Sequence, residues 1–400
     1  RGNVLQELGR FEESIANYQK ALIINPGYDE VFSNIKFTLY PLCYEVLTKQ
    51  REASTIEKVI EDLPTPPEPD ILRLRFAELT GENLKKAWET VTGNMPTIAS
   101  ETISNETKSG LPSSKNSKLS FDKKMVALLH FGRSGSIYLH SLLDSHPAIS
   151  TLPGLYMNGY FGRGVWSRLS GKGFKGIPEQ FTSLYKVLFD ARIPDKVPPA
   201  FVSDTYANKS VGVREGFAAM GPNRDTPLTL DRGQFLDILD TIVGGCESIN
   251  QGQLFEAIHH AYETTLGGDF KDKNLILYHL HKYDPYSMAN FLKYFPRAHL
   301  LMIIRNPLQS CESWVVKTPR NRQENSYNTY SDIVYRISSM LMDLNSAVFS
   351  TQASVALRLE DIKTDPEKTM GSLCDYLGID ETPSLYESTM QGLQWWGDPS

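Results

Sequence analysis

The sequence predicts an α/β protein in which a P-loop-like parallel sheet is flanked by helices, preceded by an all-α segment. Three observations carry this. Short apolar runs at Met125–His130, Leu275–His279, Leu300–Ile304 and Ser354–Leu359 have strand length, and helical patterns follow at Ile137–Leu143, Pro285–Tyr294 and Pro366–Leu377. Such alternation implies right-handed crossovers and a parallel sheet covered on both faces. The run Val126–Ser136 passes from an apolar strand into Gly132-Arg133-Ser134-Gly135-Ser136 and then directly into a helix. That order aims backbone N–H groups and the positive end of a helix at one spot, which makes an anion site. Upstream, helical periodicity runs to about residue 93.

Composition narrows the class. A chain of 400 residues with 40% hydrophobic content can bury a large core and reads as two or three domains. Its net charge of -6 and pI near 5.8 argue against a general nucleic-acid binder. Cys43, Cys246, Cys311 and Cys374 are scattered without CxxC spacing, so free thiols in a reducing, cytoplasmic compartment are expected. No His/Cys/Asp cluster has metal spacing, and no apolar run reaches the roughly 18 residues of a membrane span.

The all-α segment, residues 1–95, opens on Gly2, Leu5, Leu8, Gly9, Phe11, Ser14, Tyr18, Ala21 and Pro26. This pattern resembles the tetratricopeptide repeat, with Ser14 where that family usually has alanine, and Phe32 and Ile35 fit the opening of a second unit. The resemblance implies a piece of a longer array, a missing natural N-terminus and a protein partner for the helices. Pro64, Pro66, Pro67 and Pro69 interrupt the helices, and Asp70 caps the next one. Residues 96–120, rich in Ser, Thr, Asn and Lys, read as a flexible linker, and residues 121–400 as the sheet domain.

Four blocks of the sheet domain resemble the sulfotransferases, in the order of the bacterial and tyrosylprotein branches. Gly132–Ser136 with Asp144-Ser145-His146-Pro147 is similar to the sulfate-donor loop and its Asp-x-His-Pro. His281-Lys282-Tyr283-Asp284-Pro285 is similar to the Lys-Asp-Pro segment. The apolar strand ending in Arg305-Asn306-Pro307, with Ser313 eight residues after the arginine, is similar to the 3′-phosphate block. Val355–Leu377 is similar to the terminal strand and helix.

The resemblance implies the sulfotransferase fold and a 3′-phosphoadenosine 5′-phosphosulfate (PAPS) donor without a metal. It implies that Gly132, Arg133, Ser134, Gly135 and Ser136 hold the phosphosulfate, while Arg305 and Ser313 hold the 3′-phosphate. Arg305 offers a planar fork and Ser313 a hydroxyl, which suits a phosphate. In-line sulfuryl transfer needs charge neutralised at the bridging oxygen. Arg133 is assigned to the leaving phosphate and Lys282 to the sulfuryl oxygens or the bridging oxygen.

The base is less direct. The tyrosylprotein branch carries a glutamate after its His-Pro, where this chain has Ser150-Thr151-Leu152-Pro153-Gly154. The cytosolic branch uses a histidine some two dozen residues before the phosphate arginine, which is where His281 stands; an imidazole suits proton abstraction at neutral pH. His279 shares its strand face and competes. His140 and His146 read as structural, His259 and His260 as pointing apart.

The acceptor is a hydroxyl on a carbohydrate, small metabolite or peptide tyrosine. Gly154–Gly176, rich in aromatic and basic residues, reads either as an acceptor wall or as a packed loop; Trp395-Trp396 reads either as a cover over the donor or as an apolar tail; Asp204 and Arg214 are further polar candidates. Two other readings stay open. An ATP-using P-loop kinase would need the Lys this loop lacks. A non-catalytic repeat-bearing adaptor is kept alive by the missing glutamate and by Ile137, where relatives carry Thr or Ser.

Overall fold

The computed structural model describes residues 1–24, 29–50, 52–61, 68–81, 83–105, 123–154, 156–157, 159–193, 211–281, 284–313 and 329–397. The described residues form two compact units, one comprising residues 1–95 with 305–351 and the other residues 96–304 with 352–400.

The first unit is helical. Gly2–Glu7, Phe11–Ile24, Asp29–Leu47, Ala53–Glu61, Glu68–Thr80 and Leu84–Gly93 are joined by Thr329–Leu344 from far downstream. Phe11, Ile15, Tyr18, Leu22, Ile35, Leu39, Ile56, Ile60 and Met342 share one apolar core. The first two helices approach closely: a Cβ on Gly2 would collide with the Tyr18 ring. The Ser14 hydroxyl donates to the Gly2 carbonyl at 2.9 Å, a bond that alanine could not make. Beneath the core surface Arg75 donates to Glu78 (2.6 Å) and Asp343 (2.7 Å), and the Ala347 N–H donates to Glu78 (3.2 Å). Burial pushes the Glu78 carboxyl above its ordinary value, against the pull of Arg75. Pro26, Pro64, Pro66 and Pro67 lie outside the described residues.

The second unit holds the sheet. Its strands are β1 (Ile103–Ser104), β2 (Lys124–His130), β3 (Ile149–Thr151), β4 (Ser248–Ile249), β5 (Leu275–His281), β6 (His299–Ile304), β7 (Ser354–Arg358), β8 (Thr389–Met390) and β9 (Leu393–Gln394). Five of them form one parallel sheet in the order β3-β5-β2-β6-β7. The four strands expected from the sequence are all present, within two residues at their ends. β3, three residues long, carries too little pattern to be read alone.

Val126, Leu128, Leu275, Leu277, Leu301, Ile303 and Leu357 pack against Leu139, Leu142 and Leu143 of the helix Ser136–Leu143 and Met370, Leu373 and Leu377 of the helix Pro366–Leu377. On the opposite face Tyr278 meets Phe161, Phe255 and Phe291 in an aromatic cluster. Both faces of the inner strands are therefore covered, as near-continuous apolar strands require.

Residues 96–105, expected as the start of a linker, are instead folded. β1 pairs antiparallel with β4, and the Glu101 carboxylate accepts from Lys293 Nζ and the Tyr294 hydroxyl. Their order comes from partners far along the chain, which a local lack of apolar residues cannot reveal. Residues 106–120 lie outside the described residues.

Candidate active site

The anion loop sits at the carboxyl end of β2, the position where open parallel sheets bind ligands. Buried β2 delivers the chain to Phe131, and the turn is wound by two left-handed residues, Arg133 (φ 66°) and Gly135 (φ 92°). Glycine is needed at 135 twice over: its φ is costly for any side chain, and a Cβ there would lie 2.7 Å from Leu359 Cδ1. The helix starts at once, with Leu139 N–H bonded to the Gly135 carbonyl at 3.0 Å, so the preceding amides have no partner within the helix.

Ser134 is fully buried in this turn, and its hydroxyl has no hydrogen-bond partner in the structure. A buried polar group left unpaired costs about 1–3 kcal/mol, so such a hydroxyl marks a place for a polar ligand. Ser136 is also buried, while Gly132 and Arg133 are partly exposed. The residues present thus suit an oxyanion: N–H groups, a hydroxyl and a cation around one turn.

Three imidazoles meet near the carboxyl ends of β2 and β5: His130 of β2, His279 of β5 and His140 of the helix after the loop. His130 Nδ1 donates to the Phe131 carbonyl at 3.2 Å, and its ring meets that of His279 edge-on at 5.2 Å. His279 Nδ1 lies 3.0 Å from His140 Nδ1 on the loop helix. Burial lowers the His140 pKa to about 4, opposed by Asp144. Another buried histidine, His259, pairs with the Ser150 hydroxyl at 2.9 Å, and burial lowers its pKa to about 3. Neither contact was legible in the sequence, because the partners stand more than a hundred residues apart.

His281 is the last residue of β5 and the register partner of His130. Lys282 and Asp204 lie outside the described residues. Asp284 caps the following helix by accepting from the Ser287 N–H (2.9 Å) and hydroxyl (2.8 Å), with Pro285 in the first turn. The strand–cap–proline design recurs after β6: Arg305 follows its last residue, and the Asn306 carboxamide accepts from the Leu308 (3.0 Å) and Gln309 (3.3 Å) amides. By contacts Arg305 and Ser313 belong to the first unit. Arg214, partly exposed, belongs to the sheet unit.

The remaining expectations sort themselves. His146 is structural: Nδ1 accepts from the Ala148 amide (3.1 Å) and Nε2 donates to the Asp380 carbonyl (2.8 Å). Asp144 accepts from the Thr151 hydroxyl (2.9 Å) and the Gly392 amide (3.1 Å), which ties the loop helix to β3 and to the β8–β9 turn. His259 and His260 do point apart, the latter stacking on Phe270. In Gly154–Gly176 the aromatics Tyr156, Tyr160, Phe161, Trp166 and Phe174 are buried, which favours the packed-loop reading; the cations Arg163, Arg168, Lys172 and Lys175 are exposed. Trp395 and Trp396 donate to the Glu215 (2.8 Å) and Gly221 (2.6 Å) carbonyls and so clamp that segment. Among the described residues no His/Cys/Asp/Glu group could hold a metal ion, and no helix is long and apolar enough to cross a membrane.

Residues 254–383 match the family described as the sulfotransferase family. The match takes in β5, β6 and β7 and begins downstream of the anion loop. That region is therefore similar to a class of group-transfer enzymes. No curated protein matches the chain significantly. Among solved structures, the sulfotransferase domain from the Synechococcus PCC 7002 olefin synthase is 20% identical, with a TM-score of 0.32 over 68% of this chain and 80% of its own. The sulfotransferase domain from the curacin biosynthetic pathway is 17% identical, with a TM-score of 0.35 over 68% of this chain and 81% of its own.

Proposed function

We propose that the chain transfers a sulfuryl group from PAPS to an acceptor hydroxyl. One observation carries the reading: a buried, unpartnered Ser134 hydroxyl within an N–H-rich turn at the carboxyl end of β2. The sulfotransferase-family match over residues 254–383 supports the choice of chemistry. Gly132, Arg133, Ser134, Gly135 and Ser136 hold the phosphosulfate, and Arg305 and Ser313 take the 3′-phosphate, the last two on the strength of the sequence resemblance.

In the reaction the acceptor oxygen forms a bond to sulfur as the bond from sulfur to the bridging phosphate oxygen breaks. Adenosine 3′,5′-bisphosphate leaves, and the acceptor proton passes to His281. Arg133 and Lys282 neutralise charge on the leaving and sulfuryl oxygens. The helices of residues 1–95 serve as a tetratricopeptide-like platform for a protein partner. A cytoplasmic setting belongs to the same proposal, on the scattered spacing of Cys43, Cys246, Cys311 and Cys374.

The test is a titration with adenosine 3′,5′-bisphosphate and with ATP, followed by a labelled-sulfate transfer assay over a panel of hydroxyl acceptors. Preferential bisphosphate binding with transfer is expected. Preference for ATP, or binding without transfer to any acceptor, overturns the proposal.

A further inference from the structure

Residues 145–178 carry four cations, Arg163, Arg168, Lys172 and Lys175, and no carboxylate, in a chain whose net charge is -6. All four are exposed, while Phe161, Trp166 and Phe174, interleaved with them, are buried. The next carboxylate along the chain, Glu179, is paired with Arg232 at 2.9 Å. Buried aromatic anchors therefore hold the backbone in place, and the positive charge is presented on its outer side. Arg163 is the member that reaches the site. The Asn290 carboxamide donates to the Phe161 carbonyl at 2.9 Å, which pins the turn before Arg163 against the helix Pro285–Tyr294. The Arg163 guanidinium lies over the Tyr286 ring, 4.7 Å from its centre. Tyr286 stands in the first turn of that helix, five residues after His281, so at most about 18 Å of chain separates it from the end of β5. A guanidinium resting on an aromatic face keeps its N–H groups at the edge, where their fork suits two oxygens of one carboxylate or phosphate.

We infer that Arg163 is an acceptor-specificity residue, and that the acceptor carries an oxyanion, a carboxylate or a phosphate, besides its hydroxyl. The role of the hydroxyl rests on the transfer reaction proposed above; the oxyanion contact rests on Arg163 and its surroundings. Arg163 takes the oxyanion and so keeps the acceptor at the carboxyl end of β5. Arg168, Lys172 and Lys175 add a positive field that raises the local concentration of anions. A neutral hydroxyl compound lacks the contact and is held more weakly, so the anion separates acceptors from other alcohols.

The test is calorimetric titration of the full chain with adenosine 3′,5′-bisphosphate already bound, so that the anion loop is filled. The probes are para-hydroxyphenylacetate against its methyl ester, and glycerol phosphate against glycerol. At least one of the two anions is expected to bind about tenfold or more tightly than its neutral counterpart. R163Q is expected to bring that anion down to the affinity of the neutral compound. The two arms show whether a carboxylate or a phosphate is preferred. Equal affinities within both pairs, or a difference that R163Q leaves intact, overturn the inference. If the bisphosphate itself does not bind, the proposed function fails, and the same comparison without it still decides whether Arg163 holds an oxyanion.

Discussion

Gly135 shows how tightly one position can be specified. Its left-handed φ and the nearness of Leu359 leave no room for a methyl group. G135A should cost about 1–3 kcal/mol in urea unfolding and weaken bisphosphate binding. Adding L359A should recover only the steric part of the stability loss. Full recovery would mean that the backbone conformation is not strained. Arg305 invites a more selective measurement. R305A should weaken binding of adenosine 3′,5′-bisphosphate at least tenfold more than binding of adenosine 5′-monophosphate, and equal losses would remove it from the 3′-phosphate. At this scale the loop was legible because its chemistry is contiguous: strand, turn and helix adjoin in sequence. The His140–His279 and Ser150–His259 contacts were hidden because nothing local marks which strand a buried imidazole will meet.

Among the elements, short polar side chains at strand ends fix where helices begin. Asp284 and Asn306 cap two helices that each start on a proline, and the resulting sharp strand-to-helix corners bring β5 and β6 to defined ends. D284A should cost roughly 1 kcal/mol, read as a shift in urea midpoint without a change in m-value. Strand positions and the helices Pro285–Tyr294 and Pro366–Leu377 were readable because apolar run length and capping agree there. Residues 96–105 were not, since beside their local turn bonds they are held by Glu247, Lys293 and Tyr294, far along the chain.

For the molecule as a whole, buried histidines set the acid limit. His140 and His259 have folded pKa values lowered by burial to about 4 and about 3 from an unfolded value of 6.5. Stability is therefore fully present above pH 6.5 and is lost as pH falls through the folded values, because only the unfolded chain can accept those protons readily. The loss should reach a few kcal/mol on acidification from pH 6.5 to 4. H259L should flatten that slope in denaturation measured across the same range, and an unchanged slope would assign the acid response elsewhere. In the helical unit, R75A should destabilise by about 3–5 kcal/mol, because Glu78 and Asp343 would be left buried without their shared cation. The shift in periodicity near residue 95 marks a boundary in the sequence. The return of residues 305–351 to the first unit was not legible, since amphipathic helices do not announce which core they complete.

That return has a consequence in time. The helices of residues 2–93 share a core with Met342, and Arg75 finds its second carboxylate only at Asp343. On a ribosome adding roughly 5–20 residues per second, this core waits tens of seconds after its first helices emerge before its last wall arrives. In that interval all of β2, β5 and β6 have been made, so the unit encoded first is finished after the middle of the sheet. A nascent chain halted before residue 329 would expose apolar helix faces to chaperones, and release of the next few dozen residues would end that exposure.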